Sequence, residues 1–189
     1  MFKLGEIKTK CKDKDPGPYD IVALQECERI NYIFSTIMRL LDELQKGLDG
    51  ELDMTDAMEE LAKSLRFNRL PTSWDEAAAY PSRKSLQSWF ADLIKRHQQM
   101  AEWTKEMKLL KVINISLLCN PMSFVTAVKQ VTARSKGLAL DNLDIMTDVT
   151  NFSADENVKD YPNSGVYVYG LFVQGAKWEE PTGDGMINF

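Results

Sequence analysis

Histidine is almost missing from this chain: one residue, His97, in 189. Three cysteines, Cys11, Cys27 and Cys119, are scattered without close spacing. A zinc site needs four well-spaced ligands and a catalytic triad needs a base beside its nucleophile, so neither is suggested. An odd, unpaired set of thiols fits a reduced compartment better than a disulfide scaffold. No apolar run approaches the ~20 residues a membrane-spanning helix requires. Positive charge is also short: 23 Lys and Arg against 28 Asp and Glu give a net charge of −5. That balance argues against general nucleic-acid binding, which wants a concentrated basic surface. There is no GxxxxGK[ST] phosphate loop, no GxGxxG, no CxxC and no HExxH. The adjacent acids Glu59-Glu60 and Glu179-Glu180 read as solvated side chains. An enzyme is therefore the weakest of the functional classes.

With 44% apolar residues and 27% charged, the sequence is able to bury a real core without disulfides or metal. Its longest helical signal is Ile21–Gly50. Cys27, Ile30, Phe34, Ile37, Leu41, Leu44 and Leu48 step by three and four and define one face, widened by Ile33 and Leu40. Such a helix of about 40 Å belongs in a bundle. Asp20 can cap its start and Gly47 or Gly50 its end. The polar cluster from Gln25 to Asn31 at its start is denser than solubility requires. It reads either as a solvated face or as a docking surface.

Residues 1–18 hold five lysines and the breaker Pro16-Gly17-Pro18, a charged lead-in rather than a folded unit. A second helix carries Met54, Met58, Leu61 and Leu65, with Asp53 or Thr55 as cap. Trp74 and Tyr80 mark a connector that their large rings pin onto the bundle or offer to a partner. A third helix is expected from Ser82 to about Leu110, with Leu86, Trp89, Leu93, Met100, Trp103, Met107 and Leu110 inward. His97 lies within this stripe as a packed neutral side chain, and Asp92 and Arg96 can pair on the outer face. Lys111–Cys119 is a buried connector or short strand. Asn120-Pro121 opens a fourth helix, lined by Phe124, Val128, Val131 and Ser135 and closed by Gly137. The apolar period then becomes two over Leu143–Val149 and again over Gly165–Val173, where Gly170 suggests a bulge or a close backbone approach. The fold class expected is α+β: about four helices over residues 19–137, then an incomplete antiparallel sheet or barrel over 138–189.

Several unusual stretches occur together and in one order. They are Leu24-Gln25-Glu26-Cys27-Glu28-Arg29-Ile30-Asn31, Leu70-Pro71-Thr72-Ser73-Trp74, Tyr80-Pro81-Ser82, and Ser88-Trp89-Phe90-Ala91-Asp92-Leu93 with Arg96. Asn120-Pro121-Met122-Ser123-Phe124 and the run from Gly165 to Trp178 complete the set. The set resembles the C-terminal region of dynein heavy chains, most closely the axonemal ones. It departs where the family has an aromatic and glycines before its Asn-Pro; here stand Asn114, Ser116, Leu117 and Cys119.

The resemblance implies a domain that follows the last AAA+ module, packs across one face of the motor ring and has no nucleotide site of its own. ATP and Mg would belong to the parent motor, with no cofactor in the present sequence. Its partners would be the AAA+ modules of its own heavy chain, with dynein subunits and microtubules reached through the parent, and no nucleic acid or membrane. Its function would be to support the ring and modulate minus-end-directed motility in the axoneme of a cilium or flagellum. The lead-in would descend from the last AAA+ module, and the β part would continue past Phe189. Residues expected to dock on the ring are Gln25, Glu26, Arg29, Asn31, Trp74 and Tyr80. The alternative is a free-standing helical adaptor for another protein.

Overall fold

The computed structural model describes residues 1–12, 15–78, 80, 82–150, 152 and 158–171. Six helices are present among them: α1 (Leu4–Lys12), α2 (Pro18–Leu48), α3 (Asp56–Arg66), α4 (Thr72–Ala78), α5 (Leu86–Glu106) and α6 (Pro121–Lys136). Two three-residue strands, β1 (Val112–Asn114) and β2 (Tyr167–Tyr169), form a small sheet.

Helix α2 is the axis on which α1, α3, α4, α5 and α6 pack. Pro18 opens it with its φ already set, and the Gly17 amide donates to Asp20 Oδ2 at 2.9 Å, so Asp20 holds the entry turn rather than the first helical amides. Side chains of Thr55, Ser85 and Asn120 cap α3, α5 and α6. The third helix thus starts at Ser85 rather than Ser82 and ends at Met107, earlier than Leu110, in a left-handed turn. Gly137 closes α6 at φ 63°, a conformation that costs glycine nothing.

Two apolar clusters flank α2. Its N-terminal half packs Val22, Ala23, Cys27 and Ile30 against Met100, Trp103, Ile113, Phe124 and Ala127. Its C-terminal half packs Ile33, Ile37 and Leu44 against Leu61, Trp74, Trp89 and Leu93. The buried stripe is therefore turned from the expected one. Ile33 is fully buried and Phe34 only partly, while Leu41 and Leu48 are exposed. The cause is the breadth of the packing: a helix surrounded on several sides buries more than one seam. On α6 the inner residues are Phe124, Ala127, Val128 and Ala133; Val131 is half-buried and Ser135 exposed.

Residues 1–12 are not an unfolded lead-in. Ile7 and Cys11 of α1 are buried in the first cluster. The Phe2 ring stacks on His97 at 4.4 Å, and Lys10 Nζ donates to the carbonyls of Thr104 and Lys105 at the end of α5. The lysines hid an amphipathic turn whose apolar residues are few but correctly spaced. His97 is half-buried, and burial pushes its pKa below the usual value.

The β part differs from the expected antiparallel arrangement. β1 pairs with β2 in parallel, Val112 opposite Tyr167 and Asn114 opposite Tyr169. Helix α6 lies between them in sequence, and a crossover of that length permits parallel pairing. Leu143–Val149 forms no strand: its Ile145, Met146 and Val149 are exposed, as are Asp144 and Asp148, so no face is buried. The second predicted strand is present as Tyr167–Tyr169; its portion from residue 172 lies outside the described residues. Gly170 has φ 77° and abuts the side chains of Asn114 and Ser116, the close approach its position in the run suggested.

Candidate functional site

The polar start of α2 lies against the turn that leads into α6. Glu26 is 3% exposed. Its Oε2 accepts from the Cys119 amide at 2.6 Å and its Oε1 from the Asn120 amide at 2.8 Å. Asn120 is the N-cap of α6, so the carboxylate sits at the positive end of that helix dipole. From the other side Arg96, 7% exposed, donates Nη1 to the Leu118 carbonyl at 2.8 Å. Residues 118–120 are thus held by a carboxylate from α2 and a guanidinium from α5. A third anchor is Gln99, whose amide donates to Asn114 O and accepts from Asn114 N at 3.1 and 2.9 Å, extending the β1 backbone pairing onto α5.

These contacts correct the expected Asp92–Arg96 pair. Asp92 pairs with Lys84 instead, and Arg96 turns inward, its guanidinium carbon 4.1 Å from the centre of the Tyr80 ring. Tyr80 also stacks on Trp89, and burial pushes its phenol up to about 12. Trp74 is 1% exposed in the second cluster, so of its two open roles the pinning one is realised. Asn31 is spent within the fold too: its amide accepts from Phe2 N at 2.7 Å and donates to Phe2 O at 2.8 Å.

What remains open to solvent is a groove of about 650 Å³. Gln25, Glu26, Glu28, Arg29 and Tyr32 of α2 form its floor, with Glu76 and Ala77 of α4 on one side and Asn120 and Ser123 on the other. A second groove of about 320 Å³ shares Gln25, Asn120 and Ser123 and continues between α2 and α6 past Ile21 and Met122. Tyr32, Ile21 and Met122 are 61%, 49% and 68% exposed. Of the six residues expected to dock, the structure brings Gln25, Glu26 and Arg29 together in this groove. Trp74 is buried, and Asn31 and Tyr80, both half-buried, make their contacts within the fold. Sequence reasoning missed Tyr32 on the floor and Glu76, Asn120 and Ser123 as groove walls.

The neighbouring thiols are unsuited to chemistry. Burial, with the Glu26 charge, pushes Cys27 and Cys119 up to about 12, so both are protonated at neutral pH. Among the described residues no group of three His, Cys, Asp or Glu side chains could hold a metal ion.

Fold and site together define a helical domain whose polar groups converge on an open surface groove. The family model for the C-terminal domain of the dynein heavy chain matches residues 1–184, and the protein belongs to that family. It is 41% identical over 181 residues to the ciliary dynein beta chain of Tripneustes gratilla. It is 39% identical over 184 residues to the flagellar outer-arm dynein beta chain of Chlamydomonas reinhardtii, and 39% over 182 to human dynein axonemal heavy chain 17. These alignments take in 96–97% of the present sequence and 4% of each relative. The sequence thus spans a small fraction of the heavy chains it matches.

Proposed function

We propose that this domain packs on the AAA+ modules of its own axonemal heavy chain, supports the motor ring, and modulates ATP-driven movement along microtubules in a cilium or flagellum. The nucleotide and its Mg belong to other modules of the parent in this reading. The observation that carries it is the groove at the start of α2. There Gln25 and Arg29 stand beside the exposed Tyr32, with Ile21 and Met122 continuing the surface. Arg29, Tyr32 and Met122 at these grooves are of the residue types enriched at protein interfaces.

A packing domain shifts a ring equilibrium only through contacts that differ between two ring states. Charge-assisted hydrogen bonds from Arg29, desolvated against the ring, are worth about 1.5–3 kcal/mol each. Arg29→Ala in the intact heavy chain is expected to change velocity, stall force or basal turnover and to leave nucleotide binding intact. A mutant equal to wild type in all three would remove Arg29 from the docking surface. Loss of nucleotide binding would contradict a role outside the nucleotide sites.

A further inference from the structure

The protein is acidic overall, yet one corner is cationic. Helix α3 ends at Arg66, Phe67 follows as its C-cap, and Asn68 adopts a left-handed conformation, φ 52°. The Arg69 amide closes the turn on Ser64 O at 2.9 Å. Asn68 then fastens the turn to the start of α5: its carbonyl accepts from Leu86 N at 3.1 Å, and its Oδ1 from Gln87 N at 3.0 Å. Arg83 stands three residues before that junction.

The Phe67 ring is 56% exposed, and the guanidinium carbons of Arg66 and Arg69 each lie 5.9 Å from its centre. Two cations therefore flank one solvent-facing ring on a turn that is fixed at both ends. Arg66, Arg69 and Arg83 are exposed, and none of them forms an ion pair with a described acid. The nearby lysines differ: Lys84 is paired with Asp92, and Lys63 lies 3.9 Å from Glu60.

We propose that the Arg66–Arg69 turn with Arg83 is a docking surface for an acidic polypeptide segment. The arginine forks would receive carboxylates, which they match two bonds at a time, and Phe67 would take an apolar side chain between them. Charge complementarity sets the sign of the partner, and extent sets its kind. Screening confines attraction to roughly 8 Å at physiological salt, so a short acidic segment meets only the arginines. A long polyanion such as a nucleic acid would also cross the surplus acids of a protein with net charge −5. This surface is separate from the groove on α2 and does not depend on the ring-packing reading.

The test is fluorescence anisotropy of a fluorescein-labelled six-residue peptide, five glutamates around one leucine, titrated with the full 189-residue protein. Saturable binding that weakens with added salt is expected. R66A/R69A should weaken it about tenfold, R83A about threefold, and K10A/K12A on α1 less than twofold, with thermal unfolding of each variant confirming the fold. Absence of saturable binding would overturn the proposal, as would equal affinity of wild type and R66A/R69A. An oligothymidylate of equal charge that outcompetes the peptide and shares its arginine dependence would overturn it in favour of a nucleic-acid surface.

Discussion

Removing the Glu26 carboxylate should unfasten α2 from the head of α6. Glu26→Ala deletes two acceptors at once, those of the Cys119 and Asn120 amides. Each charge-assisted bond is worth about 1.5–3 kcal/mol, an upper bound of roughly 6 for the pair. Two effects reduce it. Asn120 is exposed and its amide can recover water, and alanine relieves the cost of burying a charge, which is several kcal/mol for a desolvated ion. The buried Cys119 amide has no such recourse, so the net loss should be about 2–4 kcal/mol. With an m-value of roughly 2 kcal/mol per molar urea, the midpoint falls by about 1–2 M. Glu26→Gln, which keeps one acceptor oxygen, should fall in between. Glu28→Ala is the control: its bond to Lys8 is 2.9 Å long, but both side chains are about half exposed, and such a pair contributes less than about 1 kcal/mol. A Glu26→Ala midpoint within about 0.2 M of wild type would refute the reasoning.

Ile33→Ala should cost about 2–5 kcal/mol, since Ile33 is fully buried, whereas Leu48→Ala at a 64% exposed site should stay within about 0.5; urea midpoints decide. Cys27 and Cys119, pushed up to about 12, should resist Ellman's reagent at pH 8 in the folded protein and react once it is unfolded. His97 has a lowered folded pKa, so the unfolded state binds the extra proton first. Its contribution is present above the unfolded value of about 6.5 and is lost as pH falls from there through the folded pKa. His97→Gln should therefore lose less stability than wild type between pH 7.5 and pH 5.5, the carboxylate contributions being common to both.

Helices were legible where capping chemistry and period agreed. Thr55, Asn120-Pro121 and Gly137 did what their chemistry demands. Two errors concern polar residues on apolar faces. On α5 the buried series Trp89, Leu93, Arg96, Met100, Trp103 steps by four and three without interruption, so the spacing itself pointed Arg96 inward. Its charge argued for the surface, but inside the fold its Nη1 donates to the Leu118 carbonyl and its guanidinium lies over the Tyr80 ring. Glu26 is the same case on α2, four residues before Ile30. Alternation over Leu143–Val149 misled for the opposite reason, because a period of two makes a strand only when a partner covers one face. The groove was half legible. The density of polar groups from Gln25 to Asn31 marked its floor, but its walls come from α4 and α6 and exist only once the protein has folded.

The central claim, that the start of α2 faces the motor ring, is tested most directly by a photocrosslinking residue at position 32 of the intact heavy chain. Tyr32 is 61% exposed at the groove, so the substitution leaves the core untouched. After irradiation and mass mapping, crosslinks to AAA+ modules of the same heavy chain are predicted, with far fewer from a probe at the exposed, distant Leu48. Ring crosslinks from position 48 and none from position 32 would contradict the account and place the ring against the other end of the helix.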